Sequence, residues 1–122
     1  MNQEETDAKF QEGREQFNQG RFFEAHETWE EIWLAAPAAE KAFLQGIIQL
    51  AAAFHHFTRG NSAGAESLLA AGLQKLDRFP ADHRGLRLEK LRAAARRWMA
   101  ALATRSGTVP GDFPQIEQVW RR

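Results

Sequence analysis

Residues 38–59 read Ala38-Ala39-Glu40-Lys41-Ala42-Phe43-Leu44-Gln45-Gly46-Ile47-Ile48-Gln49-Leu50-Ala51-Ala52-Ala53-Phe54-His55-His56-Phe57-Thr58-Arg59. At helical spacing Phe43, Ile47, Leu50, Phe54 and Phe57 form one broad apolar face, and Ile48 and Ala52 extend the apolar surface outside it. A helix that is greasy on nearly every side is the buried centre of a bundle. A membrane span is the competing reading. The longest uncharged stretch, residues 42–58, holds two Gln and two His and is shorter than the roughly 20 apolar residues a span requires. A strand reading fails on composition, because the chain has 21 Ala but only 2 Val, 4 Ile and no Tyr, leaving little with which to build a sheet. The expectation is an all-α fold.

Working outward, Pro37 and Gly60 bound this central helix. Before it, residues 22–36 place Phe22, Ala25, Trp29, Ile32 and Trp33 at helical spacing. Earlier still, residues 7–19 carry Phe10, Gly13 and Phe17, with Thr6 or Asp7 as N-cap and Gly20 as the stop. After it, Asn61 or Ser62 caps a fourth helix that runs to about residue 79, burying Ala65, Leu68, Leu69, Gly72, Leu73 and Leu76. A fifth, over residues 85–104, has Leu88, Leu91, Ala95, Trp98 and Leu102 at spacings of three and four, a narrow seam. The run Ser106-Gly107-Thr108-Val109-Pro110-Gly111 breaks it. Phe113, Ile116, Val119 and Trp120 are too apolar for a free tail, so the tail is expected to dock, with a short sixth helix from Pro114.

A shift of 40 residues superposes Phe10 on Leu50, Phe17 on Phe57, Gly20 on Gly60, Ala25 on Ala65, Trp29 on Leu69 and Trp33 on Leu73. Each copy reads Phe-x-x-Gly-x-x-x-x-Ala: a helix, a glycine-ended turn and a second helix with a small residue at the crossing. The pattern is similar to the helical hairpins of tetratricopeptide-like repeats, although helical hairpins also converge on glycine turns without any repeat. Two copies are too few for a solenoid, so the expected architecture is a compact bundle of five to six helices, two hairpins with the fifth helix as a lid.

The length of 122 residues suits a single domain, here residues 1–122. Lys+Arg and Asp+Glu are equal at 16 each, and cysteine is absent, which excludes disulfides, thiolate catalysis and cysteine-ligated metals. Neutrality conceals an asymmetry. Residues 1–61 hold 10 acidic and 5 basic side chains, net −5, whereas residues 62–122 hold 6 and 11, net +5. The polar amino-terminal residues show no signal or transit pattern, so a cytoplasmic location is expected.

The stretch Phe22-Phe23-Glu24-Ala25-His26-Glu27-Thr28-Trp29-Glu30-Glu31-Ile32-Trp33 carries the unusual chemistry. His26 and Glu30 are four apart and share a side with Trp29 and Trp33. A carboxylate on a buried face needs a partner, and Gln45, Gln49 and His56 form a polar stripe on the next helix. A cluster of His26, Glu27, Glu30, Gln45, Gln49 and His56 between the second and third helices is therefore expected. It has three possible meanings: a hydrogen-bond network that fixes register, a small-ligand pocket walled by Trp29 and Trp33, or a metal or hydrolytic centre. The metal reading is the thinnest, since zinc protease helices require H-E-x-x-H and position 30 is Glu, and di-iron bundles require two Glu-x-x-His helices. No metal and no cofactor are expected, and no phosphate loop or nucleophile elbow is present. His83, between Asp82 and Arg84, reads as a solvated turn residue, and His55 points about 100° from His56.

Arg84, Arg87, Lys90, Arg92, Arg96, Arg97 and Arg105 crowd the fifth helix and its approach. Such a stripe can bind phosphates. Zero net charge and the lack of aromatics on that face argue against nucleic acid, and the acidic second helix or a second subunit are the competing partners for it.

The run Phe17-Asn18-x-Gly20-x-Phe22-Phe23-Glu24-Ala25-His26-Glu27-x-Trp29-Glu30-x-x-Trp33, followed by Leu44-Gln45-Gly46-Ile47-Ile48-Gln49-Leu50-Ala51 and Arg59-Gly60-Asn61-x-x-Gly64-Ala65, resembles the family known as domain of unknown function 309 over about residues 10–80. The resemblance implies a small helical bundle and no established activity. Its characteristic positions correspond to Glu24, His26, Glu27, Trp29, Glu30, Trp33, Gln45 and Gln49, none with an assigned catalytic role, and nothing carries over to residues 81–122. The expectation is a non-enzymatic binding or interaction domain, for a small molecule or a protein, with a homodimer conceivable from the bipolar charge. The alternatives are a metal-dependent or acid/base enzyme using His26, Glu27 and Glu30, and nucleic-acid binding through the fifth helix.

Overall fold

The computed structural model describes residues 1–119. Among them are five α-helices and no strand: α1 (Gln3–Asn18), α2 (Phe22–Ala35), α3 (Ala38–Thr58), α4 (Ser62–Leu76) and α5 (Leu88–Thr104), with a 3-10 turn at His83–Gly85. Helices adjacent in sequence pack on one another, most extensively α3 on α4. The all-α expectation holds. α1 begins four residues before the expected start because Asn2, a strong capping residue, accepts a hydrogen bond from the Glu5 amide at 2.8 Å. Thr6 sits inside the helix, its hydroxyl bonded to the Asn2 carbonyl.

The two glycine turns superpose bond for bond. Gly20 and Gly60 have φ of +78° and +82°. The amide of Gly20 donates to Phe17 and that of Arg21 to Gln16; the amide of Gly60 donates to Phe57 and that of Asn61 to His56. This is the Schellman cap, which satisfies the last carbonyls of a helix by way of one left-handed residue. The 40-residue periodicity in the sequence is thus a periodicity of turn geometry.

α3 is the central helix, burying Phe43, Leu44, Gly46, Ile47, Ile48, Leu50, Ala51, Ala53 and Phe54. Two close approaches fix its neighbours. At the α3–α4 crossing, a Cβ placed on Gly72 would lie 2.9 Å from the carbonyl oxygen of Gly46, so the backbones touch. On α1, Gly13 leaves room for the Trp29 indole, whose Nε1 donates to the Phe10 carbonyl at 3.1 Å. Trp29 is completely buried, among Phe10 and Phe17.

α5 buries Leu88, Leu91, Ala95, Trp98 and Leu102, the seam read from the sequence. It packs on α4, and Trp98 reaches the Phe54 and Phe57 rings of α3. The acidic second helix makes no extensive contact with it among the described residues. α4 stops at Leu76, before the expected end: Arg78 and Phe79 close tight turns to Lys75 and Leu76, and Arg92 of α5 takes up the Leu76 and Phe79 carbonyls. Phe79 still packs on Phe43.

The expected sixth helix does not form. Residues 113–117 have no helical turn, and Gln118 makes an isolated antiparallel bridge with Leu86. The main chain here is committed elsewhere: Ile116 bonds to α1 side chains, the Arg87 amide to the Glu117 carbonyl, and the Val119 amide to the Gly85 carbonyl. Docking through Phe113 and Ile116 agrees with expectation, whereas Val119 is exposed. Trp120 lies outside the described residues.

Candidate functional site

The buried stripe of α2 consists of Phe22, Ala25, Thr28, Trp29 and Ile32. With about 100° between successive residues, this register turns Phe23, Glu27, Glu30 and Leu34 outward and leaves His26 and Trp33 on the flank. Trp29 is a core residue. Thr28, the one buried polar side chain of the helix, donates to Gln16 of α1 at 2.8 Å.

The polar cluster expected between α2 and α3 is therefore not assembled. Among the polar side chains of the described residues His26 meets only Glu30, Nε2 to Oε2 at 3.4 Å, and the Glu30 side chain is 51% exposed. Glu27 is exposed and makes no ion pair among the described residues. Gln45 points to solvent. Gln49 faces α4, where Lys75 Nζ donates to its Oε1 at 3.0 Å. His56 bonds to Asn61 in the second glycine turn, 3.1 Å from Nδ1 to Nδ2. The physical reason is a rotation of α2. Putting Trp29 at the centre of the buried face swings Glu30 out, so its charge stays hydrated and the cost of burial never arises.

What replaces the cluster is a surface ridge. Phe23 is 47% exposed and Leu34 is 69% exposed, at opposite ends of a line that includes Glu27 and Glu30. Phe23 stacks on His26 with centroids 6.4 Å apart and lies 5.3 Å from the His55 ring of α3. At the far end Lys41 Nζ sits 4.7 Å from the Trp33 ring centroid, a cation–π contact. His26 Nδ1 and Trp33 Nε1 are buried without hydrogen-bond partners. Lys9 bridges from α1 to Glu31 at 3.3 Å and to Glu12. Its hydrogen bonds to Glu31 and then Glu12 hold the ammonium above its usual pKa. No three His, Asp or Glu side chains come together among the described residues as a metal would require.

The structure also shows a cluster that the sequence reading missed. His83 is not solvated: it lies between the Phe43 and Phe79 rings at 4.6 and 4.7 Å, with Nε2 3.3 Å from Glu40. Arg84, in the left-handed region at φ +57°, reaches Glu40 at 3.5 Å and Asp7 at 3.6 Å and covers the Phe10 ring. With Thr6, Ile32, Pro37 and Leu44, Glu40 and Arg84 border a cavity of about 290 Å³. Among the described residues these are the ion pairs that join the acidic half to the basic half. No periodicity marks them, because the partners sit on α1, α3 and a turn.

Most cations of α5 are engaged locally. Arg92 donates to the Leu76 and Phe79 carbonyls, closing the end of α4. Arg96 pairs with Asp77, Arg87 with Glu89 and Lys90 with Glu117. The hydrogen bond from Lys90 holds the Glu117 carboxyl below its usual pKa.

Residues 10–68 match the model of a family described as "Domain of unknown function (DUF309)". Over this segment the chain is similar to that family. The DUF309 segment takes in most of α1, all of α2 and α3, and the first turns of α4, so the α2 ridge lies inside it and α5 and the tail lie outside. The chain is 41% identical over 66 residues to "Uncharacterized protein YpuF" of Bacillus subtilis (strain 168), covering 53% of this chain and 36% of that protein. It is 33% identical over 78 residues to an "Uncharacterized protein" of Aquifex aeolicus (strain VF5), covering 63% of this chain and 23% of that protein. The matched segments thus span about a third and a quarter of these relatives.

Proposed function

We propose that the chain is a non-enzymatic interaction unit, a single helical domain that docks a protein on the outer ridge of α2. The observation that carries this reading is the ridge itself, two large apolar side chains flanking two carboxylates that no other helix neutralises. Exposed apolar groups rimmed by charge mark docking surfaces more often than single exposed residues do. An enzymatic centre would instead need convergent groups, and His26 and Glu30 form one open pair.

The partner proposed is a second copy. The exposed side of α5 carries the small residues Ala93, Ala100 and Ala103 beside Arg97 and Arg105, and neither arginine has an ion-pair partner among the described residues. Phe23 and Leu34 fit against the alanines, while Glu27 and Glu30 meet the two arginines. Exposed ion pairs contribute only about 0.2–1 kcal/mol each, so the apolar contacts supply affinity and the charges supply orientation.

Sedimentation velocity tests this. The wild-type chain is expected to form dimers at low salt, with a dissociation constant that rises as salt screens the pairs. Glu27→Arg with Glu30→Arg, and separately Arg97→Glu with Arg105→Glu, are expected to be monomeric, and mixing the two double variants to restore the heterodimer. A wild-type chain that stays monomeric at low salt, or variants that still self-associate, would remove the homodimer reading.

A further inference from the structure

The segment 113–117 is held as a recognised peptide is held. Phe113 inserts between aromatic rings, with centroids 5.0 Å from Phe22 and 5.0 Å from Trp98, the latter stacked at 8°, and it contacts Phe54 and Phe57. Pro114 and Ile116 are buried, while Gln115 between them is exposed. At Ile116 the main chain is gripped on both sides. Its amide donates to Asn18 Oδ1 at 2.7 Å, and its carbonyl accepts from Asn18 Nδ2 at 3.0 Å and Arg14 Nη1 at 2.9 Å. Gln115 Nε2 adds a bond to the Asn18 carbonyl at 3.1 Å.

Any docked tail must satisfy its buried main chain as well as bury its apolar side chains; the distinctive point is how few groups do so. Here one side-chain amide reads both polar groups of a single residue, independently of that residue's identity, and the selectivity is left to separate apolar pockets. That division of labour is how extended peptides are recognised: main-chain bonds give affinity, and pockets for spaced side chains give specificity. Of the groups that hold the segment, Arg14, Asn18, Phe22, Phe54 and Phe57 lie within residues 10–68, whereas Trp98 and the held segment itself lie outside. The connection between them, residues 105–112, is largely exposed and turns through Arg105 and Gly107 at positive φ.

We propose that this groove is a peptide-binding site for an extended Phe-Pro-x-Ile segment of a partner protein, and that residues 113–116 are a built-in ligand occupying it in cis. A partner must displace the tail, so the tail lowers the partner's apparent affinity by the fraction of chains in which the groove is open. The site is distinct from the α2 ridge and does not depend on it.

The probe is a fluorescent peptide with the sequence of residues 110–119, titrated into the full chain. Phe113→Ala with Ile116→Ala weakens the cis ligand and leaves every groove residue intact. That variant is expected to bind the peptide saturably and roughly tenfold or more tighter than wild type does, since the competing cis contacts are lost. Asn18→Ala added to it, or Ala at the Phe position of the peptide, is expected to lower affinity by roughly tenfold, the loss of a buried hydrogen bond or ring. Absence of saturable binding to the double variant with helix content unchanged would overturn the proposal. So would a salt-insensitive wild-type dimer that the double variant lacks, which would assign the groove to the tail of a second copy. If the double variant does not fold, the wild-type chain is titrated instead; an unmoved Asn18 side-chain amide resonance at millimolar peptide then counts against the site.

Discussion

Gly13 and Trp29 show how one residue constrains another. A Cβ on Gly13 would stand 2.2 Å from Trp29 Nε1, inside any allowed contact, and the indole cannot retreat because it is surrounded and hydrogen-bonded. Gly13→Ala is expected to destabilise the chain by about 1–3 kcal/mol or more, the usual cost of overpacking, read as a lowered urea midpoint with unchanged slope. Trp29 was legible as an aromatic at helical spacing, but its rank over His26 and Glu30 for the buried position was not. The sequence offers a stripe about 100° wide and leaves its centre undetermined. The hole opposite Gly13 decides it, and that hole exists only once α1 and α2 are packed.

At the level of elements, the two glycine caps make a matched pair. Nothing lies within 4 Å of a Cβ at Gly20 or Gly60, so substitution there costs backbone conformation alone. Gly20→Ala and Gly60→Ala are each expected to cost about 1–2 kcal/mol, the penalty of the left-handed region for an L-residue, and to match within about 0.5 kcal/mol in parallel urea titrations. Asn61→Ala adds the loss of its cap on Gly64, about 1 kcal/mol. These caps, the α5 seam and the core face of α3 were readable because each is a local pattern. The end of α4 and the extended tail were not. Both are set by partners distant in sequence: Arg92 for the α4 terminus, and Arg14 and Asn18 for the tail.

Across the described residues, ion pairs between the acidic and basic halves gather at one place, the His83–Glu40–Arg84–Asp7 cluster. Glu40→Gln is expected to loosen the connector between α4 and α5, seen as faster amide exchange at Gly85 and Leu86 with α2 unchanged. The tail adds an acid dependence. Because Lys90 lowers the Glu117 carboxyl, this pair stabilises the folded chain in full above the unfolded carboxyl value of 4.5. The contribution disappears as the pH falls through the lower folded-state value. Amide protection at Ile116 and Val119 is expected to fall in that window before protection in α3 does; simultaneous loss would show that Glu117 does not govern docking. The contact between Gly46 and Gly72 bears on how such a fold can change. With main chain resting on main chain, the separation of α3 and α4 has already reached its minimum, so no side-chain substitution can bring them closer. Repacking around the crossing can tilt the two helices about that point. It acts as a pivot, and variation in the surrounding side chains is freedom of angle without freedom of distance.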